Sequence, residues 1–324
     1  MHYRYNWCIL NATKYTKREV NDMADIMIST TDLTKKYNDK TVVDNVSLTI
    51  ERGGIIGLVG QNGAGKTTLI RLLAGLAKPT SGSFALLPNQ KRVPTDVAAI
   101  VERPSIYSNL SATDNLIAQS LLLGIAVDRE YIKTTLNLVG LDHRLKRPVK
   151  NYSLGMKQRL AIAMTLIGKP QLLILDEPTN GLDPEGIASM RELFVTLNRQ
   201  MGVTLVISSH ILSELGKFAT EFYIMDNGRI LKRVTADEIK NVTGKRIRLN
   251  VDDVDKALEA LAQFGKTQVD ENGQISVTTD EAVTQIMLVL AQAGVTVKNF
   301  TQAGDALEDY YLEIVRNARQ GGSL

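Results

Sequence analysis

The sequence predicts an α/β fold with a small α+β unit attached behind it, and three observations predict it. Short, largely apolar runs at 55–59, 172–175 and 203–207 alternate with segments of helical periodicity. That alternation is the mark of strands buried on both faces of a parallel sheet. A stretch from about Pro104 to Asn151 keeps helical spacing throughout, so a helical insert interrupts the sheet. After Gly244 the order changes to strand, helix, strand, strand, helix, strand.

Composition sets the outer limits. A chain of 324 residues with 44% apolar content has room for one large domain and a small appendage. Lys plus Arg exceed Asp plus Glu by 38 − 35 = 3, too little for a dedicated nucleic-acid binder, so no nucleic-acid partner is expected. The one cysteine, Cys8, excludes an internal disulfide framework and suits a reducing compartment. The most apolar stretch, 160–168, runs into Lys169 and Pro170. A spanning helix needs about 20 apolar residues, so any membrane role must come through a partner. The first 22 residues hold the only Trp and the only Cys and lack the apolar core of a secretory signal. An extension over 1–27, disordered or read from an upstream start, is expected there, with a functional arm as the alternative.

The elements follow in order. Residues 28–33 and 42–50 read as strands about a turn at Asn38-Asp39-Lys40. Residues 55–59 form a buried strand, followed by a glycine-rich loop and a helix from Lys66 to Leu76. Ser111 opens a helix with apolar positions at Leu116, Ile117, Leu121 and Ile125, and a second covers 129–139. Then come a helix at 154–167, a strand at 172–175, a helix at 185–200 and a strand at 203–207. A hairpin turns at Asp226-Asn227-Gly228. The last unit has strands at 247–251, 267–269, 275–277 and 295–297 and helices at 254–264 and 282–293. The second and third strands turn at Glu271-Asn272-Gly273. Its layout is ferredoxin-like, and a closing helix holds 307–315.

The chemistry begins at Gly60-Gln61-Asn62-Gly63-Ala64-Gly65-Lys66-Thr67, with Thr68 after it. A buried strand precedes this run and a helix follows, the context a phosphate-binding P-loop requires. Glycines let the backbone wrap closely, so that its N–H groups face phosphate oxygens at the helix N-terminus. Lys66 can reach the β- and γ-phosphates of ATP, and the Thr67 hydroxyl can ligate Mg²⁺. The strand at 172–175 ends in Asp176 and Glu177, which it delivers to the sheet edge beside the loop. Asp176 would hold Mg²⁺ through water, and Glu177 could act as general base on the attacking water.

Those elements define a nucleotide-hydrolysing site but not its branch. The run Asn151-Tyr152-Ser153-Leu154-Gly155-Met156-Lys157-Gln158-Arg159 resembles the signature motif of the ABC ATPases, with Ser153 and Gly155 matching its commonest form. Asn180-Gly181-Leu182-Asp183 is similar to the family's D-loop. Ser208-Ser209-His210 stands where the family carries its switch histidine. Tyr37 stands where it carries an adenine-stacking aromatic, although a lone Tyr is more often a packing residue. The resemblance covers about Ile28 to Lys240. It implies that Ser153 and Gly155 of one copy meet the γ-phosphate held by another, with Asp183 at that interface. It also implies a second ATPase subunit, identical or a close paralogue, and a separate integral-membrane permease. The place of work would be peripheral, on the cytoplasmic face of a bacterial cell membrane.

One position departs from the common pattern. In 98–104 (Ala-Ala-Ile-Val-Glu-Arg-Pro), Glu102 stands where most members carry a glutamine that senses Mg²⁺ and touches the membrane subunit. A carboxylate there can bind Mg²⁺ but adds negative charge near the γ-phosphate. Glu102 together with the signature variant resembles the bacitracin-export and lantibiotic-immunity branch, which removes peptide antibiotics; export of another drug, ion or lipid is the alternative. A soluble ATPase acting on ribosomes usually has two cassettes, and here there is one. A chromosome or DNA-repair ATPase would need a coiled-coil or zinc insert between Lys66 and Asp176, which stand 176 − 66 = 110 positions apart with neither heptads nor cysteines between them. The expected architecture is therefore an α/β P-loop ABC ATPase core over 28–243, a helical subdomain at about 104–168, and a small α+β ferredoxin-like domain over 244–324.

Overall fold

The computed structural model describes residues 25–319 except 90, 92, 103, 104, 244, 271, 272, 280 and 303–305. Residues 1–24 of the extension expected over 1–27, and the turn residues Glu271 and Asn272, lie outside the described residues; Ile26 and Met27, expected in that extension, belong to the first strand. The first hairpin joins β1 (Ile26–Tyr37) to β2 (Lys40–Glu51) in antiparallel register. β1 starts two residues before the expected strand, because Met27 is fully buried in the core. β3 (Ile55–Val59) is buried throughout and leads through the P-loop into α1 (Lys66–Leu73). α1 is three residues shorter than expected. Gly75, at φ +73°, takes the left-handed cap, and the Leu76 N–H returns to the Arg71 carbonyl at 2.8 Å.

β4 (Ser81–Leu86) was not expected; its mostly exposed polar face hides it from an apolar pattern. It pairs with β1 to give a three-stranded antiparallel sheet, β2-β1-β4. β5 (Val97–Ile100) leads to the insert of α2 (Ala112–Leu122), α3 (Arg129–Leu138) and α4 (Leu154–Leu166). Ser111 caps α2, accepting from the Asp114 N–H at 3.1 Å. β6 (Leu172–Asp176), α5 (Pro184–Met201), β7 (Thr204–Ser209), a short α6 (Leu212–Leu215) and the hairpin of β8 (Glu221–Asp226) and β9 (Arg229–Thr235) follow. The main sheet has the order β5-β6-β7-β3-β8-β9, parallel except for the last pair.

Its central strands alternate between two cores. Ile55, Val59, Leu173, Leu175, Leu205 and Ile207 face the larger one with α5 and the helical insert. Ile56, Leu58, Leu172, Ile174 and Val206 face the second, where α1 lies between this sheet and the antiparallel one. Each strand therefore reads as continuously apolar because both faces are covered.

α7 (Ala236–Thr243) leads to a separate small sheet. It comprises β10 (Lys245–Val251), α8 (Val254–Leu261), β11 (Lys266–Val269), β12 (Ile275–Thr279), α9 (Val283–Gln292) and β13 (Val297–Gln302). The strand order is β11-β12-β10-β13, all antiparallel, over a core of its own. α10 (Ala306–Arg319) then packs back on α6, α7 and β9, and Leu307, Tyr310, Tyr311, Ile314 and Val315 join the larger core. No helix among the described residues is long and apolar enough to cross a membrane.

Candidate nucleotide site

The C-terminal ends of β3, β6 and β7 meet at one edge of the main sheet, where a cleft of about 420 Å³ opens. Asn62, Gly63, Gly65, Lys66, Thr67, Thr68, Glu177 and His210 line it, joined by Val42 and Asn180. The loop depends on its glycines. Gly63 (φ +85°) and Gly65 (φ +106°) adopt left-handed backbone, and a Cβ on Gly65 would meet the Val42 carbonyl at 2.5 Å. Gly60 is packed at the rear, where a Cβ would lie 2.3 Å from the Met225 carbonyl. Ala64 closes the turn, its N–H donating to Gln61 O at 3.1 Å.

Lys66 is only 6% exposed and folds along the loop it belongs to. Its Nζ donates to the carbonyls of Gly60 (2.7 Å) and Gln61 (3.2 Å) and stands 3.6 Å from Glu177 Oε1. Burial holds its pKa below the usual lysine value, against the opposing pull of Glu177 and Asp176. The ammonium is thus poorly solvated and faces two loop carbonyls and the Glu177 carboxylate.

The two acids are fixed by a residue that sequence reasoning passed over. Asp176 and Ser208 are register partners in β6 and β7. The fully buried Ser208 Oγ donates to Asp176 Oδ1 at 2.6 Å and accepts the Glu177 N–H at 2.9 Å. Glu177 needs that anchor: its φ of +47° is a left-handed conformation disfavoured for a side-chain-bearing residue. Glu177 Oε2 stands 2.7 Å from His210 Nδ1. One chain of contacts, Asp176–Ser208–Glu177–His210, therefore sets the acids and aims Glu177 into the cleft. The signal for Ser208 was its place at the end of the next parallel strand, but only the register brings it opposite Asp176.

Other expected site residues lie off the cleft. Tyr37 is exposed at the end of β1, with Lys35 Nζ 5.0 Å from its ring centre. Glu102, at φ +60°, pairs with Arg71 of α1 on the surface. Ser153 caps α4, accepting from the Met156 N–H at 3.3 Å, and Gly155 sits against Leu182. Asp183 caps α5 through the Gly186 N–H at 2.9 Å. Gln158 of α4 donates to Asn180 O at 3.2 Å, so the signature helix is tied to the loop that supplies Asn180 to the cleft.

Comparison with known proteins identifies this arrangement. Residues 43–180 match the family model described as ABC transporter. The chain is 39% identical over 298 residues to the bacitracin transport ATP-binding protein BcrA of Bacillus licheniformis, covering 89% of this chain and 97% of that one. It is 43% identical over 218 residues to the lantibiotic transport ATP-binding protein SrtF of Streptococcus pyogenes, covering 67% of this chain and 94% of the relative. Among solved structures, CbiO1 of Clostridium perfringens, described as part of an ABC transporter complex, is 26% identical with a TM-score of 0.59, covering 67% of this chain and 90% of that one. The chain belongs to the ABC transporter ATP-binding proteins and is the ATP-binding, ATP-hydrolysing subunit of a transporter.

Proposed function

We propose that this chain powers removal of a peptide antibiotic of the bacitracin type through a separate integral-membrane permease. The observation that carries the reading is likeness along nearly the whole chain. The bacitracin relative is matched over 97% of its length and 89% of this chain, whereas the lantibiotic relative leaves about a third of this chain without a counterpart. The subunit would sit at the cytoplasmic face of the membrane, and two such subunits would close on ATP. Ser153 and Gly155 of one would complete the cleft of the other, with Asp183 at the contact. Their distance from the cleft within one chain is consistent with such a role in trans.

The donor set suits Mg²⁺. The Thr67 hydroxyl and the Asp176 carboxylate are hard oxygen ligands of the kind Mg²⁺ takes, with phosphate and water supplying the rest. The described residues hold no group of three or more His, Cys, Asp or Glu to cage a metal unaided. Mg²⁺ would neutralise charge on the phosphate oxygens. Glu102 would join this set if its loop turned from Arg71 to the cleft, and the same loop is the proposed point of contact with the permease. Tyr37 would stack on adenine.

The chain's own residues do the remainder. The loop N–H groups and Lys66 bind phosphate oxygens, drawing Lys66 from the Gly60 and Gln61 carbonyls. Glu177 accepts a proton from the attacking water, while His210 holds the far side of that carboxylate. Ser208 keeps Glu177 and Asp176 in register.

Antibiotic susceptibility tests the substrate. Cells carrying this subunit with its permease are challenged with bacitracin, lantibiotics and unrelated drugs, with Lys66→Ala as control. Protection against bacitracin that is lost in the variant is the expected result. Protection against lantibiotics alone, or none from a complex that hydrolyses ATP, contradicts the bacitracin reading and leaves the motor intact.

A further inference from the structure

α10 reaches the back of the P-loop. The Gln61 N–H donates to the Tyr311 hydroxyl at 3.2 Å, across 250 positions of sequence. About two turns further along the helix, Arg319 holds Asp226, with Nε 3.3 Å from Oδ2 and a terminal nitrogen 3.0 Å from Oδ1. Asp226 opens the β8–β9 turn, and that turn is the rear wall of the loop. The Gly228 N–H donates to Ala64 O at 2.9 Å, and the Met225 carbonyl leaves no room for a Cβ on Gly60. One helix therefore grips both the loop and the wall behind it.

The grip is set in a firm bed. Tyr310, Tyr311, Ile314 and Val315 are each no more than 5% exposed, and Lys232 lies over the Tyr310 ring at 5.4 Å. Burial pushes the Tyr311 phenol pKa up, so the hydroxyl stays protonated and neutral. Gln61 is not among the residues that line the cleft, so its N–H serves the loop's position and not the ligand. The four-stranded small sheet lies in sequence between α7 and α10, and those two helices pack on each other.

We propose that Tyr311 is a positioning residue for ATP binding, through which α10 holds the P-loop in its binding shape. A loop already held in its binding shape loses less freedom when a phosphate arrives, so the Tyr311 contact favours binding. Coupling of this kind is reciprocal: nucleotide in the cleft must steady α10 as α10 steadies the loop. The inference rests on ATP occupying the P-loop cleft.

The test uses the full chain with Tyr311→Phe, which keeps the ring and removes only the hydroxyl. Losing one hydrogen bond to a loop N–H should raise both Kd and KM for MgATP about three- to tenfold, with kcat changed by less than about twofold. Hydrogen exchange gives the second readout. MgATP should slow exchange of the 306–319 amides in the wild type, and slow it less in the variant. An unchanged Kd, with or without a lower Tm, overturns the proposal, as does exchange in α10 that ignores nucleotide. Lys66→Ala separates the two layers. If it weakens ATP binding while Tyr311→Phe does not, α10 is packing only; if it leaves binding unchanged, the cleft reading falls as well.

Discussion

The P-loop edge of the main sheet and the small sheet β10–β13 are built on opposite plans. At the first, a lysine, a carboxylate and a serine are buried together, and Glu177 is held in left-handed backbone. In the second, ten apolar residues form the core, Thr279 is the buried polar residue among those described, and charged pairs such as Lys256 with Asp253 at 3.0 Å lie at the surface. Buried polar groups and strained backbone cost stability and persist where chemistry needs them. Among the described residues the small sheet buries no charged group and holds no residue but glycine at positive φ.

Ser208→Ala should show the larger effect. It strips Asp176 and the Glu177 N–H of a buried partner at once, so unfolding should become easier by about 2 kcal/mol. With Glu177 no longer anchored, turnover should fall about tenfold or more. Denaturant unfolding and steady-state ATPase rates measure the two. Stability and rate both near wild type would mean that the four-residue chain of contacts is incidental. Asp253→Ala should show the smaller effect. Asp253 caps α8 through the Lys256 N–H at 3.2 Å, and losing it should cost about 1 kcal/mol, confined to the small sheet. ATPase turnover should stay at the wild-type level. Equal losses of turnover in the two variants would erase the contrast between the regions.

The sequence discloses the elements of both regions, the six of the small sheet in their expected order included, and in the first it discloses chemistry as well. β3, β6 and β7 fall within a residue or two of their expected ends, because strands covered on both faces leave uninterrupted apolar runs. The P-loop is legible because close phosphate approach demands glycine at fixed positions. β4 is not legible: it is an edge strand whose side chains are mostly exposed. The end of α1 turned on which glycine takes the left-handed cap, and Gly75 does so ahead of Pro79 and Gly82. The helix of α10 is readable from its apolar stripe, but a stripe does not name the surface it covers. The roles of Ser208 and Tyr311 depend on strand register and helix docking, and neither leaves a local pattern.

The most direct test of the account is ATP binding and turnover measured side by side in Glu177→Gln, which keeps the shape of the side chain and removes its charge. ATP affinity should stay at or above the wild-type level while turnover falls by roughly 10²-fold or more, since the base proposed to take the proton from water is gone. Near-normal turnover in a preparation free of wild-type enzyme would contradict it, and the cleft would then need another base.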